Sequence, residues 1–336
     1  MSGGRAGVGG ATEGAGGVLV LGVHRSGTSA ATRAINLLGV PLCRSDDLFG
    51  GDGNNSSGYW ESRTLMQFNN ELLSSMQANW RCPPTEVRMA AGHERRERAE
   101  AVRLLHWSHP SARWAWKDPR NCTLLPFWRR AIDVPLVAVT VLRHPDEVAT
   151  SLASQRERFA RDEALALWER NMRLLLRDAS GMPMLVTRYD DLVGEPTGWA
   201  EEVGRFLARH GFDVQTRSAQ LASFLDGGLR HHSAAGRTLA PGDGVTEEQV
   251  QLWETAQALA GVHEPFAAPP LPPESPTTGP LLEGNLLRPG RRRAEAWYRV
   301  LRRYGVVARR AGTPGLPPGA GGHQGRDADV AGVQRP

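Results

Sequence analysis

Short apolar runs alternate with helical patterns along most of the chain. Turn residues bound the apolar runs, which lie at Val18–Val23, Trp114–Trp116, Leu136–Leu142 and Met184–Val186. Stretches with apolar residues at helical spacing follow most of them, at Ser29–Leu38, Asp146–Phe159, Ala164–Ala179 and Trp199–His210. Strands that alternate with helices of this length are typical of βαβ units. The pattern therefore predicts an α/β fold, a three-layer sandwich with a central parallel sheet flanked by helices.

The composition changes at both ends of the chain. Residues 1–17 are rich in glycine and alanine and lack the apolar block of a secretory signal, so we expect a disordered leader and a cytoplasmic protein. From Pro265 the chain is Pro-rich, and from Pro314 it is rich in glycine and proline, a composition typical of disorder. The predicted folded domain therefore spans residues 18–262, followed by a basic tail at 263–336.

An arginine-rich helical pattern lies within this tail, at Arg291–Arg310. A basic amphipathic helix can contact a membrane surface, a nucleic acid or an acidic partner, whereas a helix docked on the main domain or a solvated appendage is the simpler interpretation. We expect no nucleic-acid partner and leave peripheral membrane contact and the oligomeric state open. The longest apolar stretch, Val134–Leu142, falls far short of the roughly 20 residues that a bilayer-spanning helix needs.

The chain has 40 basic residues and a formal net charge of +4, yet it contains a single lysine, Lys117. Such a preference for arginine is typical of a GC-rich genome, in which arginine codons are abundant. Most of the arginines therefore carry little individual meaning. A lysine retained against this bias predicts a specific role.

A glycine-containing loop follows the first predicted strand and reads Gly22-Val23-His24-Arg25-Ser26-Gly27-Thr28-Ser29. Such a loop between a strand and a helix cradles phosphate groups, because the backbone curls around the anion and the helix N-terminus directs amides at it. The spacing fits the frame GxxxxGK(S/T), except that Thr28 occupies the lysine position. The sequence thus predicts a P-loop-type sandwich, with Arg25 as the candidate cation. The missing lysine weakens a kinase or NTPase function.

A second candidate anion site follows the strand at Leu136–Leu142. Proline suits the first position of a helix, so Pro145 places Arg143 at the carboxyl end of the strand and Ser151 about two turns into the next helix. A guanidinium group matches phosphate geometry, and both side chains can face one anion. An NTPase has no need of this second site.

Four segments, in this order, resemble the PAPS-dependent sulfotransferases, whose donor is 3′-phosphoadenosine 5′-phosphosulfate. They are RSGTS at 25–29, KDPR at 117–120, RHPDEVATSL at 143–152 and RYDDLV at 188–193. The KDP segment is similar to the tyrosylprotein-type branch, and GYWE at 58–61 resembles a segment of many bacterial members. The C-terminal segment of the cytosolic phenol and steroid branch has no clear counterpart, although Arg230 or Arg237 is a candidate replacement.

The resemblance implies a set of residues that bind PAPS. The segments that match the 5′-phosphosulfate loop contribute His24, Arg25, Ser26, Gly27, Thr28 and Ser29. Arg143 and Ser151 match the pair that binds the 3′-phosphate. Tyr189 matches a tyrosine that lies near the nucleotide in such proteins, although a purely packing role is an equal alternative.

The resemblance also implies sulfuryl transfer to a hydroxyl or similar nucleophile, with release of 3′-phosphoadenosine 5′-phosphate (PAP) and without a metal. Lys117 would stabilise the charge that develops on the leaving PAP. Glu61 is the expected general base, with Asp118 and His24 in reserve.

The acceptor implied by this function is a small molecule or a glycan. Its site is expected within residues 40–112 and 212–262, where Trp80, Trp107 and Trp253 are candidate apolar walls or core residues, and His231 and His232 could approach it. Two alternatives stay open at this point: a P-loop kinase or NTPase, and a non-catalytic nucleotide-binding protein.

Overall fold

A computed structural model of the protein describes residues 14–51, 58–154, 159–215, 224 and 238–287. The chain divides into two units, Met1–Leu286 and Leu287–Pro336, and the second lies almost entirely outside the described ranges. The predicted helix at 291–310 also lies outside them. Within these ranges, no helix combines the length and the apolar character that a membrane span requires.

The first unit alternates strands and helices. Its strands are β1 (Gly16–Leu21), β2 (Leu48–Phe49), β3 (Glu61–Ser62), β4 (Arg113–Lys117), β5 (Leu136–Leu142), β6 (Met184–Arg188) and β7 (Gly261–His263). Its described helices are α1 (Thr28–Leu37), α2 (Arg63–Ser75), α3 (Ala91–Ser108), α4 (Asn121–Ala131), α5 (Pro145–Ala153), α6 (Arg161–Asp178), α7 (Tyr189–Gly194), α8 (Pro196–Arg209), α9 (Glu247–Ala258) and α10 (Thr278–Leu287).

Five strands form the central sheet, in the order β4-β1-β5-β6-β7. The first four are parallel, and β7 is antiparallel to β6. In the register of the sheet, Val20 pairs with Lys117 and Leu21 with Thr140. The parallel strands therefore end at one edge, where ligands bind in open α/β sheets. Strands β2 and β3 form a separate antiparallel ribbon.

Alternate residues of each central strand face two different hydrophobic cores. Val18 belongs to the core that contains Ile35 of α1, whereas the next residue, Leu19, belongs to the core that contains Trp128 of α4. Since successive side chains of a strand point to opposite faces, the sheet is covered by helices on both sides. The structure therefore confirms the predicted α/β sandwich with a central, mostly parallel sheet flanked by helices.

The Pro-rich stretch from Pro265 differs from the expected disorder, because it packs against α6. Glu169 of α6 is fully buried and accepts hydrogen bonds from the backbone N–H of Ser275 at 2.7 Å and from the hydroxyl of Thr278 at 2.5 Å. Phe266 is buried in the main core. Composition alone does not reveal a buried partner more than a hundred residues away, so the expected domain end at 262 falls short of α10.

Two element boundaries also differ from the expected ones. The helix expected at Asp146–Phe159 ends at Ala153, where α5 stops. Phe159 instead lies beside Trp80, with ring centroids 5.7 Å apart. At the other end, β1 begins at Gly16, inside the expected leader, because its residues pair with both β4 and β5.

Candidate active site

The loop after β1 has the backbone shape of an anion-binding loop. Gly22 and Gly27 have φ angles of 151° and 90°, which favour glycine. A Cβ atom at Gly22 would lie 2.6 Å from Ser26 Oγ and 2.9 Å from the carbonyl oxygen of Val141. Gly27 caps α1 without a side-chain hydrogen bond. The N-terminus of α1 therefore directs its first backbone amides at the loop.

Three residues that the sequence predicts to bind PAPS place hydroxyl groups on this loop and the first turn of α1. Ser26 is buried, and its hydroxyl donates to the carbonyl oxygen of Val23 at 2.8 Å. Thr28 and Ser29 are the first two residues of α1. The hydroxyls of Thr28 and Ser29 are placed to supplement the backbone amides as hydrogen-bond donors to an anion.

Arg25 joins the loop to the second predicted anion site. Its Nε donates to Ser151 Oγ at 2.9 Å, and its carbonyl oxygen accepts a hydrogen bond from Arg143 Nη1 at 3.0 Å. Its φ angle of 68° is unusual for a residue with a side chain and turns the backbone sharply. Residues that the sequence assigned to separate phosphate sites thus touch at one edge of the sheet.

Arg143 is nearly buried, and neighbouring groups fix its guanidinium. Its Nε donates to Glu147 Oε2 at 2.7 Å, and its Cζ lies 4.4 Å from the centroid of the Tyr189 ring. The same ring packs on the loop, since a Cβ at Gly27 would come within 2.1 Å of it. Tyr189 therefore packs between the two candidate anion-binding elements. Glu147, in the first turn of α5, holds the guanidinium of Arg143 in place through this ion pair. The sequence did not indicate the pairing.

The two expected catalytic residues are in direct contact. Lys117 Nζ donates to Glu61 Oε1 at 2.5 Å, and the two side chains are only 3% and 7% exposed. Burial raises the pKa of Glu61 above its ordinary value; Lys117 opposes this rise, Asp118 reinforces it and Arg120 opposes it. The site thus holds a buried carboxyl with a raised pKa beside an ammonium group, an arrangement that can serve proton transfer.

A buried polar network lies beneath this pair. Asp118 Oδ1 accepts from the backbone N–H and the guanidinium of Arg120, each at 2.9 Å, and Asn69 donates to Asp118 Oδ2 at 2.9 Å. Asp118 thereby caps the turn into α4. Asn69 was missed from the sequence, although it carried a signal: it stands on the apolar stripe of α2 between Leu65 and Leu72, where a polar residue is out of place.

Asp47 fixes the ribbon that carries Glu61. This buried carboxylate accepts hydrogen bonds from Ser62 Oγ at 2.5 Å, Thr64 Oγ1 at 2.7 Å and Ser108 Oγ at 2.6 Å. Ser62 directly follows Glu61 and also caps α2. No sequence pattern indicated this network, because its members are ordinary polar residues far apart along the chain.

His24 lies between the charged cluster and an aromatic ring. Its ring centroid is 4.7 Å from that of Trp80. Burial, and then the positive charges of Arg120, Lys117 and Arg25, lower the pKa of His24 well below its ordinary value. The imidazole is therefore neutral at neutral pH, and it can accept one hydrogen bond and donate another.

The other sequence candidates fall outside this cluster or outside the described residues. Trp253 packs in the core, 6.3 Å from Trp168 between ring centroids. The segment 227–237, with Arg230, His231, His232 and Arg237, lies outside the described ranges. Among the described residues, no group of three or more histidine, cysteine or acidic side chains is arranged to hold a metal ion.

Solved structures similar to the chain include two sulfotransferase domains. The "Sulfotransferase Domain from the Synechococcus PCC 7002 Olefin Synthase" is 18% identical, with a TM-score of 0.43 over 71% of this chain and 94% of that one. The "Sulfotransferase Domain from the Curacin Biosynthetic Pathway" is 16% identical, with a TM-score of 0.36 over 80% and 96%. No protein-family model and no curated protein matches the chain.

Proposed function

We propose that the protein transfers a sulfuryl group from PAPS to a hydroxyl group of a small-molecule or glycan acceptor. The observation that carries the proposal is the position of Arg25, which contacts Ser151 and Arg143 although they lie 126 and 118 residues further along the chain. A nucleotide with phosphates at both its 3′ and 5′ positions needs two adjoining anion sites. A nucleoside triphosphate needs only one.

The residues fit the donor. The loop after β1 turns so tightly that a Cβ at Gly22 would collide with Ser26, and the N-terminus of α1 follows it, so the backbone amides there would hold the 5′-phosphosulfate. Arg143 and Ser151 would hold the 3′-phosphate, because the guanidinium fork matches its oxygens. The fixed position of Arg143 beside Glu147 reduces the entropy lost on binding.

The Glu61–Lys117 pair would carry the chemistry. When bound, PAPS supplies an activated sulfuryl group: a new bond forms between the acceptor oxygen and sulfur, and the bond from sulfur to the bridging phosphate oxygen breaks. Glu61 would take the proton of the attacking hydroxyl. Lys117 would stabilise the negative charge that builds up on the leaving oxygen. Trp80, against His24, would offer an apolar surface to the acceptor.

Calorimetric titration with PAP and with ATP, each with and without magnesium, tests the proposal. We expect PAP to bind without magnesium and ATP to bind weakly. Magnesium-dependent ATP binding without PAP binding would overturn the proposal in favour of a P-loop kinase or NTPase.

Replacement of Arg143 tests which phosphate lies where. Arg143→Ala should weaken PAP binding by about tenfold to a hundredfold, the value of one charge-assisted contact, while binding of adenosine 5′-phosphosulfate changes little. Equal losses for both nucleotides would show that Arg143 does not hold the 3′-phosphate. Arg129→Gln, an exposed arginine on α4, is the control and should leave both affinities unchanged.

A further inference from the structure

Glu61 faces a second cation besides Lys117. Arg120 Nη1 lies 3.9 Å from Glu61 Oε2, while Lys117 donates to the other oxygen, Oε1. The guanidinium of Arg120 is itself anchored, since it donates to Asp118 Oδ1 at 2.9 Å and to Asn70 Oδ1 at 2.7 Å. Its side chain is 10% exposed. Arg120 is therefore a fixed positive charge, whereas Lys117 ends a flexible four-carbon chain.

The two cations respond differently when an anion enters the loop. A sulfuryl group competes with Glu61 for the ammonium of Lys117, because opposite charges attract strongly in a buried site. If Lys117 turns to the donor, Glu61 loses its nearest partner. Burial and Asp118 then favour the protonated carboxyl, which cannot accept a proton from the acceptor. The base needs a cation that does not move.

We infer that Arg120 is a positioning residue that holds the Glu61 carboxylate ionised and in place while Lys117 engages the donor. Among the described residues, the charged groups that act on Glu61 are Lys117 at the end of β4, Asp118 directly after it and Arg120 from the following turn. Of these, Asp118 is engaged by Arg120 itself and by Asn69. The role of the contact rests on the proposed function, but the contact can be tested without a sulfuryl donor.

Carbon-13 NMR of protein labelled at the glutamate side-chain carboxyls follows the ionisation of Glu61 directly, with the resonance assigned by its loss in Glu61→Gln. Arg120→Gln should raise the titration midpoint by about one pH unit, because it removes a positive charge within about 4–6 Å. Arg120→Lys should restore part of that shift. Once an acceptor is known, the acid limb of the pH–rate profile should move with the NMR midpoint in each variant.

Two further variants serve as a control and as a second test of the inference. Arg129→Gln makes the same change at an exposed arginine of α4 and should leave the midpoint unchanged. Asn70→Ala keeps the arginine but removes one of its anchors, so it should raise the midpoint less than Arg120→Gln does. Asn70→Ala replaces Arg120→Gln as the test if Arg120→Gln does not fold. A midpoint equal to that of the parent protein in Arg120→Gln, or in Asn70→Ala where only this variant folds, would overturn the inference. A parent protein that fails to bind PAP would instead refute the proposed function.

Discussion

Two buried glutamates sit in contrasting surroundings. Glu61, at the carboxyl edge of the sheet, is bound by Lys117 and approached by Arg120. Glu169, in the middle of α6, accepts from three neutral donors: the backbone N–H of Ser275, the hydroxyl of Thr278 and the side-chain amide of Gln249. One carboxylate is balanced by charged side chains, and the other by neutral hydrogen-bond donors.

The difference separates a carboxylate held by charged side chains from one held by neutral groups fixed in the fold. Neutral donors fixed in the fold cannot be drawn away by a ligand, so Glu169 fastens α6 to α9 and to the C-terminal stretch permanently. A flexible ammonium can exchange partners when an anion binds, so under the proposed function the surroundings of Glu61 would change with ligand binding. The comparison predicts that removing Glu61 affects chemistry and that removing Glu169 affects stability.

The largest effect is expected for Glu61→Gln. The amide keeps the size of the side chain and an acceptor for Lys117 but cannot take a proton, so transfer should fall by about 10³-fold. PAP affinity should hold or increase, because a negative charge beside an anion site is removed. The rate of PAP release from PAPS, measured with an acceptor found by screening alcohols and phenols, tests this. Glu254→Gln, at an exposed position of α9, is the control, and retained transfer in Glu61→Gln would show that Glu61 is not the base.

Glu169→Ala should reverse this pattern. It leaves three buried donors without their acceptor and should lower the free energy of unfolding by about 3 kcal/mol, while transfer by the folded protein stays close to the parent rate. Urea unfolding followed by tryptophan fluorescence measures the change. Glu254→Ala should change the midpoint little. An unchanged midpoint in Glu169→Ala would mean that the C-terminal stretch does not depend on Glu169.

The sequence predicted the parts of the molecule whose signal is local. Alternating apolar runs and helical patterns were enough for β1, β5, α1 and the sandwich as a whole, because each element carries its own periodicity. The loop at 22–29 was recognisable from its glycines, because Gly22 and Gly27 have positive φ angles that favour glycine. Lys117 stood out through the composition of the chain.

Features that depend on distant pairs could not be predicted in the same way. The contact of Lys117 with Glu61 joins residues 56 positions apart, and the contact of Thr278 with Glu169 spans 109. Nothing near Pro265 in the sequence reveals the buried carboxylate that orders this stretch, so composition pointed to disorder instead. Arg120 was visible only as the last letter of a short motif, and its role depends on Asp118 and Asn70 together.

Two histidines, His109 and His24, show a similar contrast between a structural residue and a residue of the candidate site. His109 is the structural one. It lies between Trp114 and Trp116, and burial lowers its pKa to about 4, against weaker raising effects of Asp47 and a hydrogen bond to Ala115. Because the unfolded chain binds a proton near pH 6.5 and the folded protein does not, stability is lost as the pH falls from 6.5 towards 4.

The contribution of His109 can be measured by comparing unfolding at pH 8 and pH 5. The fall in unfolding free energy between these pH values should be about 2 kcal/mol smaller in His109→Gln than in the parent protein. His106→Gln, at an exposed position of α3, should leave the fall unchanged. The same fall in His109→Gln as in the parent would show that His109 gains its proton without unfolding.

His24 should respond to a ligand where His109 does not. The pKa of His24 is held down partly by the positive charges of Arg120, Lys117 and Arg25, so a bound anion that neutralises them should raise it. Saturation with PAP should therefore raise the pKa of His24 by about one unit and leave that of His109 unchanged. Imidazole NMR titrations with and without PAP, with signals assigned through His24→Gln and His109→Gln, give both values. A shift at neither histidine in PAP-saturated protein would place the phosphates away from His24. A shift at both would mean that PAP reorganises the whole edge of the sheet, because His109 is shielded from the loop by the side chains that surround it.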